Sequence, residues 1–255
     1  MILVVLPAYN EAEAIGRLLE RLAKVASDRG LSIAALVVDD GSADGTAARA
    51  GSVTALPVRV VRHEANRGLG EAIKTGLLAA VEAVGADDVI VTMDSDDSHS
   101  PGLIQRMVER LDEGSDVVIA SRYLPESRVV GLSRHRAFLS WGASKLFRIV
   151  CPISGVRDYT CGYRAYRAAV LREAFARWGR EFVDQPGFSC MVDILLKLSL
   201  MPVVFSEVSM ILRYDRKPGK SKMNVRRTIT QTLRLLLRRR LGRYGAAAGR
   251  SERPA

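Results

Sequence analysis

The sequence predicts an α/β protein in which a mostly parallel sheet carries helices on both faces. Nearly continuous apolar runs rich in β-branched residues alternate with longer segments of helical periodicity, and 255 residues suit one such domain around one core. The runs predicted as strands are 2–6, 33–38, 58–61, 88–93 and 116–120. The helices predicted between them are 11–25, 43–50, 70–84 and 101–111.

The alternation lapses after Ser121, where only two further helical runs are evident, 136–150 and 188–200. Residues 224–243 place apolar side chains along one stripe and arginines around the rest, which predicts a basic amphipathic helix. The Ala/Gly/Arg composition of 244–255 predicts a flexible tail.

The charge distribution argues against nucleic-acid binding, although the net charge is +10. Of 38 basic and 28 acidic residues, thirteen basic and one acidic lie from position 216 onward, so this segment carries +12 and the remainder −2. Aromatic side chains for base stacking are scarce near the tail. The basic segment instead suits an anionic partner such as a membrane surface.

Targeting and redox signals are few. Three cysteines without metal-ligand spacing favour a reducing compartment over a disulfide framework or a zinc site. The apolar start is a buried strand rather than a signal peptide, and no apolar run reaches the roughly 18 to 20 residues that span a bilayer. We therefore expect a cytoplasmic protein that meets a membrane only peripherally.

The strongest chemical signal is MDSDDSH at 93–99, directly after a predicted strand. Asp94 and Asp96 offer two hard carboxylate oxygens within reach of one Mg²⁺ or Mn²⁺, which would neutralise a departing diphosphate. The alternative is that these acids cap the helix beginning near Pro101.

Three weaker motifs follow other strand ends. In VVDDGSADGT at 37–46, Asp39 and Asp40 would accept hydrogen bonds from a base or ribose, although Asp-Gly is also an ordinary turn. Tyr9 in PAYNE offers a ring for stacking on a nucleobase. NRGLGEAIKTG at 66–76 opens a helix whose first N–H groups favour an anion, with simple capping as the alternative.

The order of these motifs is more specific than any one of them. Together with ASRY, CGYRAY and RKPGKSK at 120–123, 161–166 and 216–222, they resemble the family 2 glycosyltransferases over roughly residues 1–225. Within that family the chain is similar to the dolichol-phosphate mannose synthases and related polyprenyl-phosphate glycosyltransferases. The resemblance implies a GT-A, Rossmann-like fold over 1–223, with a nucleotide-sugar half at 1–121 and an acceptor half at 122–223.

The resemblance also implies roles for individual residues. Asp94, Asp96 and Ser98 would hold the Mg²⁺ or Mn²⁺ ion, and Ser95 would contact the donor. Pro7, Tyr9, Glu11 and Asp39 would line the nucleoside pocket, with Asp40 beside them. At Asp97 the family pattern has an apolar residue, and we expect this extra acid to face solvent.

Basic residues complete the implied site. Arg216 and Lys222 lie in an R-x-x-G-x-S-K segment that would close over the donor diphosphate, although the residues alone also fit a charged loop before a basic helix. Arg122, Arg136 and Arg164 are the implied ligands of the acceptor phosphate, and Arg134 is close enough in sequence to replace Arg136.

The expected activity is transfer of a hexose, with inversion at the anomeric carbon, from a nucleotide-sugar to a polyprenyl or dolichyl phosphate. GDP-mannose is the favoured donor and a UDP-sugar the other candidate. The basic helix would bind the membrane or pack on the domain, and a membrane-embedded partner subunit is a further candidate.

The alternative enzyme, acting on a hydroxyl acceptor in natural-product or glycan synthesis, needs a base such as Asp193 or His135. A catalytically silent nucleotide-sugar sensor would not need Asp94, Asp96, Arg216 and Lys222 intact.

Overall fold

The computed structural model describes residues 1–131, 142 and 144–216, without the Arg216 side chain. Its strands are β1 Ile2–Ala8, β2 Ile33–Asp39, β3 Val58–Arg62, β4 Val89–Thr92, β5 Val117–Ser121, β6 Arg128–Val130, β7 Arg164–Arg167, β8 Phe205–Ser209 and β9 Ile211–Arg213. Its labelled helices are α1 Ala12–Arg29, α2 Thr46–Gly51, α3 Leu69–Ala83, α4 Leu103–Asp112, α5 Ala168–Trp178 and α6 Ser189–Leu198. Residues 144–150 are also helical, and 3₁₀ turns occupy Gly179–Val183 and Tyr214–Arg216.

Seven strands form one sheet in the order β3-β2-β1-β4-β7-β5-β8. Strand β7 runs antiparallel to both of its neighbours, β4 and β5, and the other pairs are parallel. A separate two-stranded sheet pairs β6 with β9. The fold class predicted from the sequence is confirmed, and all five predicted strands and four predicted helices of the first half are present.

The core lies between the sheet and its helices because the strands are buried on both faces. Every residue of β5 and all but one of β1 are buried, as near-continuous apolar runs predict. Helix α3 packs closely on the sheet at Gly76, where a Cβ atom would lie 2.4 Å from Val5 Cγ1. Any larger residue there would push α3 away from β1.

The second half contains what the sequence did not predict: strands β6 to β9 and helix α5. Strand β7 has only four residues, two of them arginines, so its periodicity is too short to read as a strand. The three cysteines are buried and free, as expected. Among helices in the described ranges, none has both the length and the apolarity to cross a bilayer.

Several predictions lie outside the described residues. They concern Arg134, His135, Arg136, Gly219, Ser221, Lys222, the basic helix 224–243 and the tail 244–255.

Candidate active site

The predicted motifs meet because they follow adjacent parallel strands. Strands β2, β1 and β4 are neighbours, with Ala8 opposite Asp39 and Val5 opposite Thr92. Their carboxyl ends therefore bring the loops after Ala8, Asp39 and Thr92 to one edge of the sheet. This edge is where open α/β sheets bind ligands.

The first two loops form one wall through reciprocal hydrogen bonds. The backbone N–H of Asn10 donates to Ser42 Oγ at 2.9 Å, and that of Ala43 donates to Asn10 Oδ1 at 3.0 Å. The Glu11 N–H donates to Thr46 Oγ1 at 2.9 Å. These bonds hold the PAYNE segment against the 39–46 turn, and the ring of Tyr9 beside them is exposed.

Asp39 is fully buried at the base of this wall and is incompletely satisfied. Its Oδ1 accepts the N–H of Ser42 at 3.1 Å. Its Oδ2 is buried without a hydrogen-bond partner, although Arg62 Nε lies 3.1 Å away at an angle that makes no hydrogen bond. A buried acceptor left without a donor costs free energy, so this oxygen suits a ligand that brings an N–H or O–H group.

Asp40 has a different role from its neighbour. Its Oδ1 accepts hydrogen bonds from the N–H of Arg67 at 2.9 Å and pairs with His63 Nδ1 at 2.7 Å, while Oδ2 accepts the N–H of Gly68 at 2.8 Å. Both oxygens are thus used to hold the turn that begins α3. The predicted contact between Asp40 and the donor is not supported by this geometry.

The 94–99 loop carries the two predicted metal ligands. The side chain of Asp94 is 36% exposed, whereas Asp96 is buried and its Oδ1 accepts hydrogen bonds from the N–H and Oγ of Ser98 at 3.1 and 2.6 Å. The Oγ of Ser95 donates to the carbonyl of Pro7 at 2.8 Å. Ser95 therefore anchors the loop to β1, and Ser98 orients Asp96.

His99 fixes the other end of the loop. Its Nδ1 accepts the backbone N–H of Asp94 at 3.3 Å, so a neutral ring carries its proton on Nε2, which lies 3.9 Å from Asp94 Oδ2. The ring stacks on Tyr163 at 5.0 Å between centroids, and the Tyr163 hydroxyl donates to the Ser100 carbonyl at 3.0 Å. These contacts set the direction of the Asp94 carboxylate, as outer partners do for metal ligands.

Space beside Asp94 is limited. A Cβ atom on Gly162 would lie 3.3 Å from Asp94 Oδ1, so this glycine permits a close approach. A cavity of about 10 Å³ with an apolar lining that includes Pro7, Met93 and Phe188 borders the same carboxylate. Gly162 lies in the CGYRAY motif of the family resemblance, but its place beside Asp94 could not be predicted because the two residues are distant along the chain.

The donor set fits a hard divalent cation, with two carboxylates and one hydroxyl within five consecutive residues of one loop. Within the described ranges no group of three or more His, Cys, Asp or Glu side chains is arranged to hold a metal. A cation here would thus complete its coordination with oxygens from elsewhere, such as a diphosphate or water.

The expectation that Asp97 faces solvent is wrong. Its side chain is 8% exposed, and its Oδ1 pairs with Nη1 of Arg21 on α1. A charged side chain in that environment needs a cationic partner, which the half-buried Arg21 supplies. The sequence carries no local signal for this pair, because the two residues are distant along the chain.

Arg122 is engaged by the protein itself. Its Nε donates to Asp158 Oδ2 and its Nη2 to Asp158 Oδ1, both at 2.7 Å, and Nη2 also donates to Thr160. Burial raises the pKa of Asp158, but the guanidinium and nearby N–H donors outweigh burial and hold this pKa below its usual range. The predicted contact between Arg122 and an acceptor phosphate is not supported, because the bidentate pair uses the guanidinium internally.

The predicted contact between Arg164 and the acceptor phosphate is not supported by the structure. Arg164 is 0% exposed in strand β7 and donates to the carbonyls of Met191 and Tyr159 at 2.7 and 2.9 Å. A phosphate from solution has no path to this guanidinium without opening the core.

Asp193 is buried rather than solvated, and it pairs with Lys197 Nζ at 2.8 Å. This ion pair engages one of the two candidate bases for a hydroxyl acceptor, and the other, His135, lies outside the described residues.

The segment leading to Arg216 approaches the 94–99 loop. The N–H of Arg213 donates to the Ser98 carbonyl at 3.0 Å, and the 3₁₀ turn Tyr214–Arg216 follows at once. The sequence alone did not connect these two motifs, which lie more than a hundred residues apart.

Comparisons with known proteins agree with this arrangement. The profile of "Glycosyl transferase family 2" matches residues 3–175. The chain is 34% identical to the polyprenol monophosphomannose synthase of Mycolicibacterium smegmatis, over 94% of this chain and 89% of that protein. It is 33% identical to the undecaprenyl-phosphate mannosyltransferase of Micrococcus luteus, over 88% and 87%.

Among solved structures, the fold is similar to that of glucosyl-3-phosphoglycerate synthase from Mycobacterium tuberculosis in complex with Mn²⁺, UDP and phosphoglyceric acid. The TM-score is 0.64 at 22% identity, over 96% of this chain and 78% of that one. This likeness supports the GT-A fold. The chain belongs to glycosyl transferase family 2, and the protein is a glycosyltransferase.

Proposed function

We propose that the protein transfers a hexose, with mannose favoured, from a nucleotide-sugar to a polyprenyl phosphate, in a metal-dependent reaction that inverts the anomeric carbon. The two curated relatives described above are named for mannosyl transfer to lipids of this kind. The observation that carries the proposal is the position of the buried Asp39 carboxylate, one oxygen of which lacks a hydrogen-bond donor, at the same sheet edge as the acidic 94–99 loop.

The donor's base would occupy the wall built by the first two loops. Asp39 Oδ2 would accept an N–H of the base, which supplies the hydrogen bond that this buried oxygen lacks. Tyr9 would stack on the ring, with Pro7 and Glu11 beside it. Guanine and uracil both present an N–H at a comparable edge, so GDP-mannose is favoured by the relatives' names rather than by Asp39.

The donor's diphosphate would lie over the 94–99 loop. Asp94, Asp96 and Ser98 would hold Mg²⁺ or Mn²⁺, which stabilises the negative charge that develops on the leaving diphosphate. Arg216 and Lys222 would close over the same phosphates, and the bond between Arg213 and Ser98 supports this role by bringing the chain to the loop.

The acceptor needs positioning more than deprotonation. A phosphate monoester has a second pKa near ~6 and is largely dianionic at neutral pH, so it requires no general base. The phosphate oxygen bonds to C1 of the sugar as the bond from C1 to the donor phosphate oxygen breaks and the nucleoside diphosphate leaves. The internal pairing of Asp193 fits a reaction without a base. Arg136 stays the proposed acceptor-phosphate ligand.

Membrane contact would follow from the acceptor. The basic helix 224–243 would lie at the cytoplasmic face, where each basic residue near an anionic surface adds about 1 kcal/mol of binding. A membrane-embedded partner subunit would be a second means of reaching the lipid.

The test is to incubate the purified protein with Mn²⁺, polyprenyl phosphate and, separately, GDP-mannose, UDP-glucose and UDP-N-acetylglucosamine, and to identify products by mass spectrometry. We expect a mannosyl phosphoryl lipid with GDP-mannose and its loss with chelator. NMR of the product's anomeric configuration tests inversion. No glycolipid with any donor, or transfer only to soluble hydroxyl acceptors, would contradict the proposal.

A further inference from the structure

The 94–99 loop contains a third acid, Asp97, that is tied to helix α1. Asp97 has a φ of 60°, in the left-handed region that aspartate enters at lower cost than most residues. Its carboxylate pairs with Arg21, which is 31% exposed against 8% for Asp97. The backbone conformation of Asp97 and its ion pair with Arg21 therefore both fix the position of the Asp97 carboxylate.

The charge of Asp97 would oppose donor binding if it had no partner. Asp94, Asp96 and Asp97 place three carboxylates within four consecutive positions, and the proposed donor brings a diphosphate to the same loop. Like charges repel more strongly where burial lowers the effective dielectric. Within the described part of the chain, Arg21 is the cation whose ion pair reaches Asp97.

We infer that Arg21 is a positioning residue for the donor site, an inference that rests on the proposed function. Its ion pair neutralises Asp97 and holds it toward α1, so that Asp94 and Asp96 alone present carboxylate charge to a bound cation. Arg21 acts through Asp97 and contacts neither predicted metal ligand through a hydrogen bond or ion pair within the described residues.

A purely mechanical brace between α1 and the loop makes a different prediction. Arg21→Met removes the ion pair and leaves an uncompensated acid, whereas Arg21→Met/Asp97→Asn removes the pair and the acid together. Asparagine keeps the shape of aspartate and also tolerates the left-handed conformation. Both variants lose the contact between α1 and the loop, but only Arg21→Met leaves Asp97 with an unpaired charge.

The experiment measures Mn²⁺ binding by electron paramagnetic resonance without nucleotide, and then the binding of GDP or UDP, whichever the wild-type protein binds, at saturating Mn²⁺. Donor KM, kcat and thermal stability are measured on the same variants. We expect Arg21→Met to weaken nucleotide binding and to raise donor KM about tenfold, with kcat within about threefold, because an unpaired Asp97 repels the diphosphate. The added negative charge should not weaken the binding of Mn²⁺ itself. Arg21→Lys and Arg21→Met/Asp97→Asn should lie within about threefold of wild type in each quantity. Arg17→Met, which replaces an exposed arginine one turn earlier on the same helix, is the matched control and should change nothing.

Two results would overturn the inference: an Arg21→Met/Asp97→Asn variant as weak as Arg21→Met, or an Arg21→Met variant that binds nucleotide like wild type. Failure of the wild-type protein to bind Mn²⁺ with either nucleotide, or to make glycolipid, would contradict the proposed function and the inference with it. Normal wild-type binding with an unaffected Arg21→Met variant would contradict the inference alone.

Discussion

Two carboxylates at the ends of neighbouring parts of the sheet, Asp94 after strand β4 and Asp158 beside the end of strand β5, lie in different environments. Asp94, after β4, is partly exposed, and His99 Nε2 lies 3.9 Å from its Oδ2. Asp158, which pairs with Arg122 after β5, is fully buried and bound by a bidentate guanidinium and several N–H groups. The comparison teaches that full burial beside a bidentate cation makes an acid structural, whereas partial exposure at a sheet edge leaves an acid accessible to a ligand.

The largest expected effect tests the ligand side of this comparison. Asp94→Asn/Asp96→Asn should lower glycosyl transfer more than about a thousandfold, or about 4 kcal/mol, because the site loses the charge that holds a divalent cation. The melting temperature should stay near that of wild type. Turnover that survives both replacements in the presence of chelator would show that these acids hold no catalytic metal.

Asp158→Asn tests the structural side. It should destabilise the fold by about 3 kcal/mol, because the Arg122 side chain, which is only 16% exposed, loses its anion. Urea unfolding measures the change, and Asp28→Asn in the exposed pair with Lys24 is the control, expected below about 0.5 kcal/mol. If Asp158→Asn and Asp28→Asn destabilised the fold equally, the ion pair of Asp158 would be no more structural than an exposed surface pair.

The pH dependence of the same variant sharpens the comparison further. The folded-state pKa of Asp158 lies below its ordinary value of 3.8, so its contribution is present above that value and is lost as pH falls through the folded pKa. The stability difference between wild type and Asp158→Asn should be constant above about pH 5 and shrink in more acidic solution. A difference that grows on acidification would contradict this sign.

The smallest expected effect concerns the donor's base. Asp39→Asn should raise donor KM about tenfold, or about 1.4 kcal/mol, because one amide nitrogen replaces an acceptor oxygen facing the base. Competition between GDP and UDP for binding to the variant would show whether its preference for guanine or uracil changes as well. An unchanged KM for the nucleotide-sugar would indicate that Asp39 Oδ2 does not contact the donor.

Sequence reasoning was most successful where one local pattern repeats over several residues. The strands and helices of the first half were predicted because apolar runs and helical stripes are properties of contiguous sequence. The position of Asp94 beyond a buried strand followed from the same pattern. Strand β7 was missed because its four residues pair between β4 and β5 from a distant part of the chain.

The basic residues show the opposite case. A sequence presents Arg21, Arg122 and Arg164 as equivalent cations, whereas the fold pairs the first two with Asp97 and Asp158 and encloses the third among carbonyls. Family resemblance therefore identified the enzyme class correctly, but it assigned to the acceptor two arginines that the protein pairs internally.

The amino-acid order by itself determined the α/β class, the family and the loops that carry acids, since each depends on contiguous residues. Only the tertiary structure decided which of those acids keep charge available for a ligand. Burial and ion pairing are set by partners such as Arg21 and Arg122, and distances between residues remote in sequence exist only after the sheet has formed.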